Sequence, residues 1–117
     1  MILALVDDLL FRSKIRAAAN QLGVGVAFAR SGSAALGDMR NNVPALVILD
    51  LNNPRTDPLG TIASMKADDT LANIPTVGFV SHVDAATIEA ARQAGVGEVL
   101  ARSAFTERLP EILLRGR

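Results

Sequence analysis

The chain contains no cysteine. That single absence removes disulfides, thiolate metal sites and cysteine nucleophiles together, and it is compatible with a reducing cytosol. Tryptophan and tyrosine are missing too, leaving four phenylalanines as the only aromatics, so no stacking platform for single-stranded nucleic acid is available. There is no excess of either charge. Lys plus Arg and Asp plus Glu number 12 each, for a formal net charge of zero, and direct nucleic-acid binding would need a basic footprint. No apolar run approaches the roughly 20 residues that span a bilayer. The opening Met1-Ile2-Leu3-Ala4-Leu5-Val6 is apolar, but no basic segment precedes it and it stops at once in Asp7-Asp8. It is therefore not a signal peptide. The expected location is cytoplasmic, away from the membrane.

What remains is 117 residues, 50% of them hydrophobic. That is the size of one domain, expected over residues 1–117, and enough apolar material for a core without metal or disulfide staples. Short apolar runs alternate with longer amphipathic stretches. Residues 2–6 predict a buried strand, and residues 11–22 a helix with Ile15, Ala18, Ala19 and Leu22 on one face, stopped by Gly23. Residues 24–29 predict a second strand, weakened by Gly25. Ser31-Gly32-Ser33 then offers a cap for a helix to Arg40.

The clearest strand covers residues 45–49, apolar throughout and closed by Asp50. A run without polar alternation suits a strand covered on both faces, as in a parallel sheet. Residues 52–58 predict a loop, 59–67 a helix, 76–81 a strand, 84–94 a helix ending at Gly95, and 96–101 a fifth strand. Thr106 caps a last predicted helix to Leu114, with Pro110 tolerated only near its first turn. Five strands alternating with five helices imply right-handed crossovers and a doubly wound parallel α/β sandwich. The chain ends soon after the last helix, so no output domain is expected.

Asp7, Asp8 and Asp50 fall at the carboxyl ends of the first and third strands. Open α/β sheets bind ligands at that end, where the strand order reverses. With the strands ordered 2-1-3-4-5, the first and third are neighbours and the three carboxylates converge on one crevice. Like charges so placed either raise a pKa or hold a cation, and a hard divalent ion such as Mg²⁺ suits oxygen ligands. A single aspartate ending a strand would be an ordinary solvated residue. A pair and a third at matching strand ends point to a site.

The Asp7-Asp8 pair, the segment Val47-Ile48-Leu49-Asp50-Leu51-Asn52-Asn53-Pro54 and the segment Ala91-Arg92-Gln93-Ala94-Gly95-Val96 together resemble the receiver domain of bacterial two-component response regulators. The resemblance covers essentially the whole chain. It implies a flavodoxin-like (βα)5 sandwich with the strand order 2-1-3-4-5, and a phospho-acceptor at Asp50. It further implies Mg²⁺ held by Asp8, Asp50 and the backbone carbonyl of Asn52, with Asp7 helping through water. The implied chemistry is phosphoryl transfer from a phosphohistidine on a sensor histidine kinase or phosphotransfer protein, a reaction that runs mostly on positioning and charge neutralisation. The protein would relay the signal by contacts and would not be an enzyme beyond its own phosphotransfer and dephosphorylation. A homodimer or effector would use the fourth helix, fifth strand and fifth helix.

Several positions depart from the family pattern. Its Thr or Ser at the end of the fourth strand falls on Val80, which has threonine's shape but no hydroxyl to donate to a phosphoryl oxygen. Ser81 is next, but strand neighbours point to opposite faces. The family's Lys falls on Arg102, which keeps the charge on a planar fork. Ser103 stands where the family has a proline after a cis bond. A cis bond before a non-proline costs about 2.5–4 kcal/mol, so a trans bond is expected. The aromatic switch position falls on Val99.

Three readings stay open. The chain is a receiver that accepts phosphate on Asp50, or a pseudo-receiver that keeps the fold and binds partners without switching. A haloacid-dehalogenase type phosphatase would need a second Asp where Asn52 stands. Flavin or nucleotide binding is disfavoured because the loop after the first strand has no glycines and the wrong charge. His82, the only histidine, is expected in an exposed loop. Gly78 inside a strand is expected to accommodate packing, and residues 31–33 to act as a helix cap only.

Overall fold

Apolar runs too short to make helices pair with one another. Ile2–Leu5 forms β1, Val26–Ala29 β2, Leu46–Asp50 β3, Thr76–Val80 β4 and Glu98–Ala101 β5. They make one parallel sheet in the order β2-β1-β3-β4-β5. This is a computed structural model that describes residues 1–81 and 84–117; His82, expected in an exposed loop, lies outside the described residues. The helices are α1 (Leu9–Leu22), α2 (Gly32–Asn41), α3 (Pro58–Lys66), α4 (Ala85–Ala94), α5 (Arg102–Glu107) and α6 (Leu109–Arg115). The doubly wound sandwich and its strand order are as the sequence implies.

Alternation along each strand divides the core into two layers. Ile2, Ala4, Leu46, Ile48, Val77 and Phe79 pack under α1, α5 and α6 with Phe11, Ile15, Phe105 and Ile112. Leu3, Leu5, Val47, Leu49 and Val80 pack on the other side with Ala35, Met39, Ile62, Met65 and Ala91 of α2, α3 and α4. Three of the four phenylalanines meet in the first layer. The rings of Phe11, Phe79 and Phe105 lie tilted, with centroids 4.7, 4.8 and 5.7 Å apart.

Gly23 and Gly95 end α1 and α4 with positive φ, the left-handed cap that a side chain disfavours. Gly78 does accommodate packing, because a Cβ there would stand 2.6 Å from Leu51 Cδ1. Ser31 caps α2 by accepting the Ala34 N–H at 3.2 Å.

Two expectations about helices need correction. The first helix starts at Leu9, not residue 11, because the Asp8 side chain accepts the Phe11 N–H at 3.0 Å and so caps it. The end of the chain holds two helices, and Thr106 lies inside the first of them instead of capping the last. Pro110 explains the break. It has no N–H for the Thr106 carbonyl and its ring crowds that carbonyl, so a helix begun at Arg102 cannot run through it. The chain turns at Arg108 and restarts with Pro110 in the first turn of α6.

Candidate functional site

β1 and β3 are paired neighbours, with Leu5 opposite Leu49. Their carboxyl ends therefore deliver Asp7, Asp8 and Asp50 to the same rim. The three aspartates line one crevice of about 400 Å³ with Asn52, Asn53, Pro54, Arg55 and Ser81. Val80 does not line it. Its side chain is 2% exposed and belongs to the layer under α2–α4. Ser81 does line it, because β4 ends at Val80 and strand alternation no longer governs the next residue.

Asp50 is the last residue of β3, 9% exposed, and paired across to Phe79. Its Oδ1 accepts the Asn52 N–H at 3.1 Å. Burial pushes its carboxyl above the ordinary carboxylate range. The Asn52 N–H and the positive charge of Arg102 oppose that shift, and the charge of Asp8 adds to it. Asp50 is thus an acid partly removed from water yet open to a crevice on one side.

The other two carboxylates are already engaged. Asp7 Oδ1 lies 3.7 Å from Arg30 Nε, and its Oδ2 lies 3.6 Å from Arg55 Nη2. Asp8 Oδ1 caps α1, while its Oδ2 is 3.9 Å from Arg102 Nη2. Accordingly, no group of three acidic or histidine side chains stands ready to hold one ion among the described residues.

Arg102 opens α5 directly after β5, and its guanidinium carbon sits 4.4 Å over the Phe11 ring. The stacked ring fixes the fork at the rim, a use of arginine that lysine serves less well. Its ion pair is with Asp8 and not Asp50. No peptide bond among the described residues is cis. Val99 is partly buried in the same layer as Val80, so both valines lie on the α2–α4 side of the sheet.

The loop after Asp50 is built by its own polar side chains. Asn52 Oδ1 accepts the Ser81 N–H, joining this loop to the end of β4. Asn53 Oδ1 accepts the Arg55 N–H at 3.0 Å and sets up a single 3-10 turn over Pro54–Thr56. Asp57 then takes a left-handed φ of 50° and caps α3 through the Gly60 N–H at 3.2 Å.

A sequence model of the response regulator receiver domain matches residues 2–114. The chain belongs to the response regulator receiver family. Solved structures agree with that. The phosphorylated cyanobacterial phytochrome response regulator RcpA is 28% identical with a TM-score of 0.80, the match covering 96% of this chain and 86% of that one. A response regulator from Burkholderia multivorans is 27% identical with a TM-score of 0.76, covering 97% and 90%. Chemotaxis protein CheY4 of Vibrio cholerae shares the fold at 18% identity with a TM-score of 0.85, covering 99% and 97%. No curated protein sequence matches the chain. In this receiver domain the residues that motif reading passes over are Arg30, Arg55 and Phe11, while Ser81, set aside on strand alternation, lines the crevice. The one signal for Arg55 is a long basic side chain five residues after Asp50, in a loop too short to carry it away.

Proposed function

We propose that this receiver accepts a phosphoryl group on Asp50 and passes the signal on by contacts with other proteins. The observation that carries this is the setting of Asp50. It is a mostly buried carboxylate with a raised pKa, facing a crevice between adjacent strand ends. Phosphorylated RcpA, 28% identical, supports the same chemistry here.

A carboxylate oxygen of Asp50 attacks the phosphorus of a phosphohistidine on a kinase or phosphotransfer protein. The P–N bond breaks, the imidazole leaves, and an acyl phosphate remains. The crevice fits a hard divalent cation because the acidic side chains that line it offer oxygen donors, and because the charge of Asp8 adds to the cost of ionising Asp50. Asp8, Asp50 and the Asn52 carbonyl would hold Mg²⁺, with Asp7 assisting through water. When bound, Mg²⁺ supplies positive charge against the phosphoryl oxygens. Arg102, steadied on Phe11, presents N–H donors from the other side. No further catalytic group is required, in keeping with a signalling module and not a turnover enzyme.

A second reading has its own support. Val80 offers no hydroxyl and Val99 no aromatic ring at the positions the resemblance assigns to the family's switch, and with only Ser81 from the end of β4 at the crevice the chain would serve as a pseudo-receiver for partner binding. In either reading the partner surface is α4, β5 and the α5–α6 pair, for an effector or a second copy. No helix among the described residues is long and apolar enough to cross a membrane, and we assign the protein to the cytoplasm. Titration with Mg²⁺ and beryllofluoride, followed by amide chemical shifts, separates the readings. Shifts centred on Asp50 and Asn52 support phosphoryl acceptance; unchanged spectra leave the pseudo-receiver.

A further inference from the structure

We infer that Arg55 gates cation entry into the crevice, its guanidinium holding the Asp7 carboxylate that a divalent ion would otherwise meet. This rests on the receiver reading of the crevice. Each oxygen of Asp7 faces its own arginine, Arg30 at 3.7 Å and Arg55 at 3.6 Å. With Arg102 at 3.9 Å from Asp8, Asp7, Asp8 and Asp50 meet Arg30, Arg55 and Arg102 at the rim, and the six charges cancel. An acidic notch meant to fill freely with a divalent ion would carry excess negative charge. This one is compensated from within.

Arg55 is the member placed to move. It lines the crevice beside all three carboxylates, yet its side chain is 82% exposed. Its backbone is fixed by the Asn53 cap on the 3-10 turn, so the side chain can leave Asp7 without disturbing the loop. At 3.6 Å and with that exposure, the pair is one that solvent and ions compete with readily. A doubly charged ion arriving at Asp7, Asp8 and Asp50 repels the guanidinium and takes its place. Cation affinity is then set by exchange with Arg55.

The test uses the full chain and Mn²⁺ alone, with free Mn²⁺ read by its electron paramagnetic resonance signal, since a protein without Trp or Tyr gives little fluorescence. Arg55→Ala is expected to tighten Mn²⁺ binding by about five- to tenfold, the scale of an exposed ion pair plus repulsion from a divalent charge. Arg92→Ala removes the same charge from the far end of α4 and should change affinity much less. Asp50→Asn should abolish binding in either background. Equal or weaker binding by Arg55→Ala, with Asp50-dependent binding by the wild type, overturns the gate and leaves the receiver reading standing. Equal tightening by Arg92→Ala also overturns it, because net charge would then be the cause. If neither wild type nor Arg55→Ala binds Mn²⁺ through Asp50, the gate and the cation chemistry of the receiver reading fall together.

Discussion

Placing a hydroxyl at the end of β4 by Val80→Thr should weaken the protein and leave its response to a phosphoryl mimic unchanged. Val80 is 2% exposed and packed in the layer with Leu51, Ala91 and Val96. Threonine fills the same volume, so no cavity or clash arises, and the change reduces to placing a hydroxyl where a methyl was. An unmatched buried hydroxyl costs about 1–3 kcal/mol; partial bonding to nearby carbonyls brings the expected loss to about 1–2 kcal/mol. For 117 residues the unfolding entropy is about 0.25 kcal/mol/K, so the melting temperature should fall by about 4–8 °C. Far-UV circular dichroism melts measure this. Val80 faces the layer under α2–α4 and not the crevice, so the hydroxyl meets no phosphoryl oxygen, and Mg²⁺ with beryllofluoride should shift the wild type and Val80→Thr alike. A melting temperature unchanged in the free variant would refute the claim that Val80 sits in a dry, apolar environment. A larger ligand shift in Val80→Thr than in the wild type would refute its placement away from the crevice.

Asp50→Asn should stabilise the protein at neutral pH. Wild-type Asp50 has a folded pKa raised by burial above 3.8, so its ionisation cost is present above that folded value and gone below 3.8. The advantage of the variant in urea melts should therefore shrink as pH falls through that window; an advantage that grows in acid would contradict it. Arg115→Gln should show the opposite trend. Hydrogen bonds from Arg115 lead the causes that hold Glu98 and Glu111 below their ordinary 4.5, in a ring closed by Arg108. That contribution is present above pH 4.5 and lost as pH falls through the folded values, so wild type and variant should converge in acid. Phe105→Ala removes a ring that is fully buried between Phe11 and Phe79 and should cost about 3–5 kcal/mol by urea denaturation. A loss near that of a surface substitution would mean the aromatic cluster repacks.

Much of this protein was legible as pattern. The run 45–49 announced a strand buried on both faces, and Leu46–Asp50 is buried along its whole length. The aspartates at two strand ends fall on one rim because those strands are neighbours. The pattern failed at the ends of elements, where one cap, one proline or one residue beyond a strand decides. Asp8 reads only as a member of the acidic pair until its Oδ1 is seen capping α1. Thr106 reads as a cap until Pro110, four residues on, is seen to interrupt the helix. Ser81 was assigned to the wrong side because alternation was carried one residue past the end of β4.

Apolar periodicity, turn residues and the absence of cysteine determined the layered α/β architecture, since each follows from local rules that hold within a few residues of chain. The electrostatic state of the crevice is different in kind. Arg30, Arg55 and Arg102 come from three separate connections, and only the closing of the sheet brings them within 4 Å of Asp7 and Asp8. Charge acts through space and not along the chain. The sequence therefore supplied the acids, and the tertiary structure decided which bases answer them.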